Sequence, residues 1–197
     1  MTRVLKSMSH LPQDQDGDIT SAVIFLHGYG ANGADLMGLA EVLADHMPGT
    51  LFLAPDAPET TAMVPMGLQW FPIPWIDGSS EEDSANGLRA ASEDLNAYLD
   101  GVMVDYDLLP EQVIIFGFSQ GTMMALNVAP RREDPVAGVV AFSGRLLQAE
   151  ALQDDVLSKM PILLVHNNNN EIVPIDALPM QPKLWRLRVS KRFMLIS

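Results

Sequence analysis

The sequence predicts an α/β protein in which a mostly parallel central sheet is covered by helices on both faces. Short apolar, β-branched segments of the kind buried on both faces of a sheet alternate with amphipathic segments of helical period. The length of 197 residues, 48% of them hydrophobic, suits one domain with a substantial core. We therefore expect residues 1–197 to form a single domain.

The elements alternate along the chain without an internal repeat before residue 167. Buried strands are predicted at residues 21–27, 50–55, 113–116, 136–144 and 161–166, with an edge strand at 2–10. Helices are predicted from residue 36 to 43, after residue 80, after residue 119 and near 147–158. Ser79 and Glu82 have the spacing of a capping box at the start of the long second helix. Residues 56–78, which contain four prolines and three aromatic residues, are predicted to form an irregular loop.

Charge and cysteine content exclude several kinds of function. The formal net charge of −13 argues against nucleic acid and anionic membrane surfaces as partners. The absence of cysteine excludes disulfides, thiolate catalysis and cysteine-built metal sites. The first residues lack the apolar core of a signal peptide, and no run of eighteen apolar residues occurs. We expect a cytoplasmic protein.

The segment Gly117–Gly121 has the pattern Gly-x-Ser-x-Gly between a predicted strand and a predicted helix. This order is that of a nucleophile elbow, in which glycines let two backbone segments cross closely and the serine stands on a strained corner. Chance occurrence is the alternative, but the flanking strand and helix argue against it. We therefore predict Ser119 as the nucleophile. The backbone N–H of Gln120, at the start of the following helix, is predicted as one donor to an oxyanion.

A second glycine-containing loop follows an early strand. His27-Gly28-Tyr29-Gly30 occupies the place from which a second oxyanion donor is expected, so the N–H of Tyr29 is the candidate. On its own this loop is equally consistent with an ordinary glycine turn. His27 is predicted to be a structural histidine.

These motifs together closely resemble the phospholipase/carboxylesterase family of α/β-hydrolases, the group that includes acyl-protein thioesterases. The resemblance covers residues 20 to about 166 and rests on five segments: His27–Gly33, Ala54–Pro58, Gln69–Phe71, Gly117–Gly121 and Phe142–Gly144. It implies the α/β-hydrolase fold and hydrolysis of small-molecule carboxylic esters or thioesters with small or medium acyl groups, through a serine acyl-enzyme. It also implies that no metal or cofactor is used, and that a homodimer is possible.

The resemblance further suggests four residues as walls of an acyl pocket: Trp70, Phe71, Met123 and Phe142. Ordinary core packing is an equally good interpretation of each aromatic residue, and the better one for Met123.

The end of the chain departs from the family pattern. The family's acid loop reads His-Gly-Asp-x-Asp-x-x-Val-Pro, whereas residues 166–174 place Asn170 where the catalytic acid belongs. In the family the catalytic histidine follows one further strand, which residues 187–196 would form here, but that histidine is not found. The chain's other histidines, His10, His46 and His166, have little in their favour as replacements.

Residues 1–166 are thus family-like, and 167–197 are divergent. Four consecutive asparagines and a cluster of basic residues at 183–192 suggest a truncated or out-of-frame segment.

Two functions are compatible with this sequence. The first is a serine carboxylesterase, feeble if no base replaces the missing histidine. Loss of a triad base lowers turnover by about 10⁶ and leaves roughly 10³–10⁴ over water. The alternative is a catalytically impaired relative that binds esters, lipids or a protein partner.

Overall fold

A computed structural model describes residues 2–12, 18–147 and 155–165 of the chain. The strands are β1 Ser7–His10, β2 Ser21–Leu26, β3 Thr50–Pro55, β4 Glu59–Thr60, β5 Leu68–Gln69, β6 Val113–Phe118, β7 Gly138–Phe142 and β8 Ile162–Val165. The helices are α1 Ala34–Leu43, α2 Pro74–Asp77, α3 Glu81–Asp105 and α4 Gln120–Val128, with 3₁₀ turns at Ala44–His46, Pro110–Gln112 and Ala129–Arg131.

Six strands form the central sheet in the order β1-β3-β2-β6-β7-β8. Strand β1 lies antiparallel to β3 at one edge, and all the other neighbours in this sheet are parallel. A small antiparallel hairpin of β4 and β5 lies outside it. The prediction of a mostly parallel sheet is confirmed.

The central strands are buried on both faces because alternate side chains enter two different cores. In β2, for example, Ile24 belongs to the core that α3 and α4 cover, whereas Phe25 belongs to the core that α1 covers. Phe25 stacks on Phe52 of β3 and meets Phe116 of β6 edge to face, so one aromatic row crosses three strands. The uninterrupted apolar segments of the sequence reflect this two-sided burial.

The strand order places a topological switch point between β2 and β6. After β2 the chain passes through α1 to β3 on one side, and after β6 it passes through α4 to β7 on the other. The carboxyl ends of β2 and β6 lie side by side, with Leu26 paired to Gly117. Ligands of open α/β sheets bind in the crevice at such a point. The loop after β2 and the motif after β6 therefore meet at the same edge.

The structure corrects three details of the predicted elements. The cap of α3 is Ser80 rather than Ser79, because the Ser80 hydroxyl accepts the Asp83 N–H at 3.0 Å. The loop 56–78 is more regular than expected, since it contains the hairpin and α2. The first edge strand is shorter than predicted. Most of the predicted helix near 147–158 and the whole predicted strand at 187–196 lie outside the described residues.

In the described part of the chain, no helix combines the length and the apolar character needed to cross a bilayer.

Candidate active site

Ser119 lies at the bend between β6 and α4 in a backbone conformation that residues with side chains rarely adopt. Its φ is 53° and its ψ is −112°. A non-glycine residue held in such a region costs about 1–3 kcal/mol and persists only where its surroundings fix it. Here the Ser119 N–H donates to Phe142 O at 2.8 Å, and the Ser119 carbonyl accepts the Met123 N–H at 3.2 Å. The side chain is left half-buried at the carboxyl edge of the sheet.

Two neighbours of Ser119 explain why the bend can be this tight. A Cβ placed on Gly121 would overlap the carbonyl oxygen of Leu26, so only glycine lets α4 begin directly against the end of β2. The hydroxyl of Thr122 lies 2.7 Å from Gly117 O and 2.8 Å from Phe142 O. It thereby ties the start of α4 to β6 and β7. Sequence reasoning missed Thr122, because a threonine in a helix gives no signal of this role.

The loop after β2 begins with a tight turn. Ala31 N–H donates to Gly28 O at 3.2 Å, and Gly30 has a φ of 79°. A positive φ at the third of the four residues and not at the second is the pattern of a type II turn, which favours glycine at the third position. The second position, Tyr29, contributes no N–H to the closing bond of such a turn. The Gly30 N–H donates to Leu68 O and the Leu68 N–H to Ala31 O, so β5 holds the turn in place.

The two motifs come together at the switch point. A Cβ on Gly28 would lie 3.3 Å from the Cβ of Ser119 and 3.3 Å from the ring of Phe118. The turn with Tyr29 therefore lies directly beside the bend with Ser119. The Gln120 N–H is the first amide of α4, where helix amides have no partner within the helix. Ser119, Tyr29 and Gln120 are thus gathered at one edge of the sheet.

The side chain of Gln120 has a structural role that the sequence did not reveal. This side chain is fully buried. Its Oε1 accepts the backbone N–H of Trp70 at 2.9 Å, and its Nε2 donates to the backbone carbonyl of Phe71 at 2.7 Å. The Trp70 ring N–H donates to His27 O at 3.0 Å. The segment at Trp70 and Phe71 thus connects the start of α4 to the start of the turn after β2.

His27 is enclosed, and both of its ring nitrogens are occupied. Its Nε2 accepts the Ala57 N–H at 3.0 Å, so Nδ1 carries the proton and donates to Gly28 O at 2.8 Å. Burial lowers the pKa of His27, against the opposing effects of the Gly28 carbonyl and of Asp56. This imidazole therefore holds the turn as a neutral group and has no nitrogen free to accept a proton from Ser119.

Comparisons with known proteins bear on the family of this chain. The model of a family described as Phospholipase/Carboxylesterase matches residues 13–186. Acyl-protein thioesterase 1 of Saccharomyces cerevisiae is 32% identical over 167 residues, which are 78% of this chain and 71% of the yeast protein. The chain belongs to the phospholipase/carboxylesterase family.

Other relatives extend the likeness. Acyl-protein thioesterase 1 of Gibberella zeae is 25% identical over 171 residues, covering 80% of this chain and 72% of the fungal protein. The crystal structure of esterase PE8 superposes with a TM-score of 0.82 at 34% identity, over 89% of this chain and 80% of that one. The fold is therefore that of an α/β-hydrolase, as predicted. Ester hydrolysis on small-molecule substrates is the function of this phospholipase/carboxylesterase, and the alternative of a binding-only relative is not favoured.

The described histidines other than His27 lie away from the bend. His10 pairs with Phe52 near the start of β3, and His46 is in the 3₁₀ turn before β3, so both lie toward the amino end of that strand, opposite the edge that carries Ser119. His166 and Asn170 lie outside the described residues. Within the described residues, no cluster of three or more His, Asp or Glu side chains could hold a metal ion.

Three of the four residues suggested as acyl-pocket walls are almost entirely enclosed. The exposed fractions are 0% for Trp70, 1% for Phe71 and 2% for Met123. Phe142 is half-buried and stacks on Phe116 with 5.1 Å between ring centroids. Burial favours core packing for the first three, and a pocket role for any of the four stays a prediction.

The state of His27 leads to a pH dependence of stability. The unfolded chain binds a proton on this imidazole below about pH 6.5, whereas the folded protein keeps it neutral to lower pH. The free energy of unfolding should therefore be unaffected by this group above that pH and should fall below it, by at most about 1.4 kcal/mol per pH unit.

Denaturant unfolding of the protein and of His27→Gln between about pH 7.5 and about pH 5.5 measures the effect. The variant, which cannot titrate at this position, should be less stable at the higher pH and should lose less stability as the pH falls. Identical pH slopes in both proteins would show that folding does not lower the pKa of His27.

Proposed function

We propose that this phospholipase/carboxylesterase cleaves carboxylic esters and thioesters by acyl transfer to Ser119. The observation that carries the proposal is the strained bend at Ser119 lying directly beside the turn that contains Tyr29. A strained residue at the carboxyl edge of an α/β sheet, next to unpaired helix amides, is the arrangement that acyl transfer by a serine requires.

The reaction begins with attack of Ser119 Oγ on the carbonyl carbon of the ester. As the C–O π bond breaks, negative charge collects on the carbonyl oxygen, and the N–H groups of Tyr29 and Gln120 donate to it. Each such donor is worth about 10²–10³ in turnover. Collapse of the tetrahedral intermediate expels the alkoxide or thiolate and leaves the acyl group on Ser119. The proton that Ser119 gives up to a base in the solvent is returned to this leaving group. Water then attacks the acyl-enzyme and releases the acid.

The proton of Ser119 needs an acceptor, and the three histidines that the structure describes do not supply one. His27 has both nitrogens occupied, and His10 and His46 lie toward the other edge of the sheet. We therefore expect imidazole added to the solution to raise the serine-dependent rate.

The substrate class follows from the relatives and from the chain's charge. The two curated relatives are acyl-protein thioesterases and PE8 is an esterase, which supports both thioesters and oxygen esters as substrates. Small or medium acyl groups are proposed by analogy with the family. The net charge of −13 disfavours nucleic acid and anionic membranes as partners and suits a cytoplasmic protein. A homodimer is proposed by analogy with the family, and light scattering during size-exclusion chromatography would test it.

Hydrolysis of p-nitrophenyl acetate and of acetylthiocholine over a series of imidazole concentrations tests the proposal. The rate of Ser119→Ala, which includes the reaction of imidazole itself, is subtracted from that of the protein. The difference should be positive and should grow with imidazole for both substrates. Equal rates in the two proteins at every concentration would contradict the proposal.

A further inference from the structure

Arg145 differs from every other arginine that the structure describes. The other four donate hydrogen bonds to side-chain oxygens of neighbouring residues: Arg3, Arg89, Arg131 and Arg132. Among the described residues no carboxylate forms an ion pair with Arg145. Its Nε is buried without a hydrogen-bond partner; the Nε of Arg132 is too, but the other guanidinium nitrogens of Arg132 donate to Asn96 and Asp100. A guanidinium that finds no oxygen partner among the described residues is unexpected in so acidic a chain.

The backbone places the residue before Arg145 against the carbonyl oxygen of Ser119. That residue is Gly144, on which a Cβ would lie 2.6 Å from Ser119 O. Ser143, two residues before Arg145, has a φ of 51°, a conformation that non-glycine residues rarely adopt. The Ser143 N–H donates to Val165 O at 2.9 Å, which fixes the chain as it leaves β7. The chain thus leaves β7 through the strained residue Ser143, at the edge of the sheet that carries Ser119.

The guanidinium itself is held by an aromatic ring. Arg145 Cζ lies 4.0 Å from the ring centroid of Trp75, which is 48% exposed. Trp75 is in α2, just after the segment whose Phe71 carbonyl accepts from Gln120 Nε2. Stacking on a ring orients a guanidinium and leaves its in-plane N–H groups available to an oxygen ligand. Arg145 and Trp75 therefore bridge the two segments that flank the start of α4.

None of the carboxylates in the described ranges forms an ion pair with Arg145. Burial lowers the pKa of the guanidinium, and the charge of Glu81 at the start of α3 opposes that shift without forming an ion pair. Arginine keeps its proton in proteins, so the group remains a cation with donors to spare.

We propose that Arg145, oriented by Trp75, is a specificity residue that binds a carboxylate on the substrate, so that the enzyme acts on esters of dicarboxylic acids that keep one free carboxylate. The proposal rests on Ser119 being the site of reaction. One guanidinium matches a monoanionic carboxylate in a two-point hydrogen-bonded pair, whereas phosphate groups are generally bound by clusters of arginines. Because the protein is strongly acidic overall, an anionic substrate also requires a local cation to offset repulsion.

Binding to Ser119→Ala tests the proposal without using catalysis, so failure of the acyl-transfer mechanism would not be mistaken for failure of this one. The probes are monomethyl succinate, its neutral analogue dimethyl succinate and inorganic phosphate, with dissociation constants measured by calorimetry or ligand-observed NMR. Monomethyl succinate should bind about 10- to 100-fold more tightly than dimethyl succinate, and added salt should reduce the difference.

Three further variants, each made in Ser119→Ala, test whether Arg145 causes the preference for the anionic ester. Arg145→Gln should remove the preference for the anion, Arg145→Lys should retain part of it, and the matched surface control Arg89→Gln should retain all of it. Circular dichroism establishes that each variant is folded.

Equal binding of the two succinate esters, or no detectable binding of monomethyl succinate, would overturn the proposal. So would a preference for the anion that survives in Arg145→Gln. Tighter binding of inorganic phosphate than of monomethyl succinate would overturn the assignment of a carboxylate.

Discussion

Replacing Ser119 with alanine is expected to abolish covalent acylation of the chain and to remove the whole serine-dependent part of its esterase activity. Ser119 is the residue between β6 and α4, and the variant lacks its hydroxyl group. In a serine hydrolase with a complete triad, loss of the nucleophile lowers turnover by about 10⁶. The fold should persist, because alanine retains the Cβ and both backbone hydrogen bonds of Ser119.

Labelling with a fluorophosphonate ester, followed by peptide mass mapping, measures this effect. The unmodified protein should carry one phosphonyl group on the peptide that contains Ser119, and Ser119→Ala should carry none. Ser9→Ala is the matched control, because Ser9 is exposed on the edge strand β1 and should label as the unmodified protein does. Labelling of Ser119→Ala to the same extent would place the nucleophile elsewhere.

Replacing Tyr29 with proline is expected to slow acylation of Ser119 by about 10²–10³ relative to Tyr29→Ala. Proline removes the backbone N–H that we assign to the oxyanion, while the second position of a type II turn accommodates proline. The turn should survive, because its closing bond runs from Ala31 N–H to Gly28 O and does not involve residue 29.

The comparison with Tyr29→Ala isolates the effect of the backbone N–H of residue 29 on the rate of acylation. Both variants lose the bond in which the Tyr29 hydroxyl accepts from Thr61 at 2.6 Å, so that loss cancels between them. The quantity to measure is the rate of p-nitrophenol release in the first turnover with p-nitrophenyl acetate. Equal first-turnover rates in Tyr29→Pro and Tyr29→Ala would show that this N–H does not stabilise the reaction.

The sequence predicted the sheet well because its strands are buried on both faces, and this produces uninterrupted apolar segments such as residues 21–27 and 50–55. The Gly-x-Ser-x-Gly pattern predicted the bend at Ser119 because the glycine requirement is steric: Gly121 faces the carbonyl of Leu26 at a separation that excludes a side chain. The cap of α3 was placed one residue early, because Ser79 and Ser80 are both suitable capping residues and only the backbone path selects between them.

The supporting contacts of the site could not be predicted from the sequence. The Gln120 side chain binds residues fifty positions away, and the Thr122 hydroxyl joins two strands that only the folded sheet brings together. The stacking of Arg145 on Trp75 likewise joins segments seventy positions apart. Such long-range contacts leave no local pattern of residue types.

The most direct test of the account is a crystal structure of the protein phosphonylated on Ser119. We predict a tetrahedral phosphorus bonded to Ser119 Oγ, with its unesterified oxygen about 2.7–3.1 Å from the backbone nitrogens of both Tyr29 and Gln120. An adduct whose oxygen points away from these two amides, or an adduct on another residue, would contradict the proposed site.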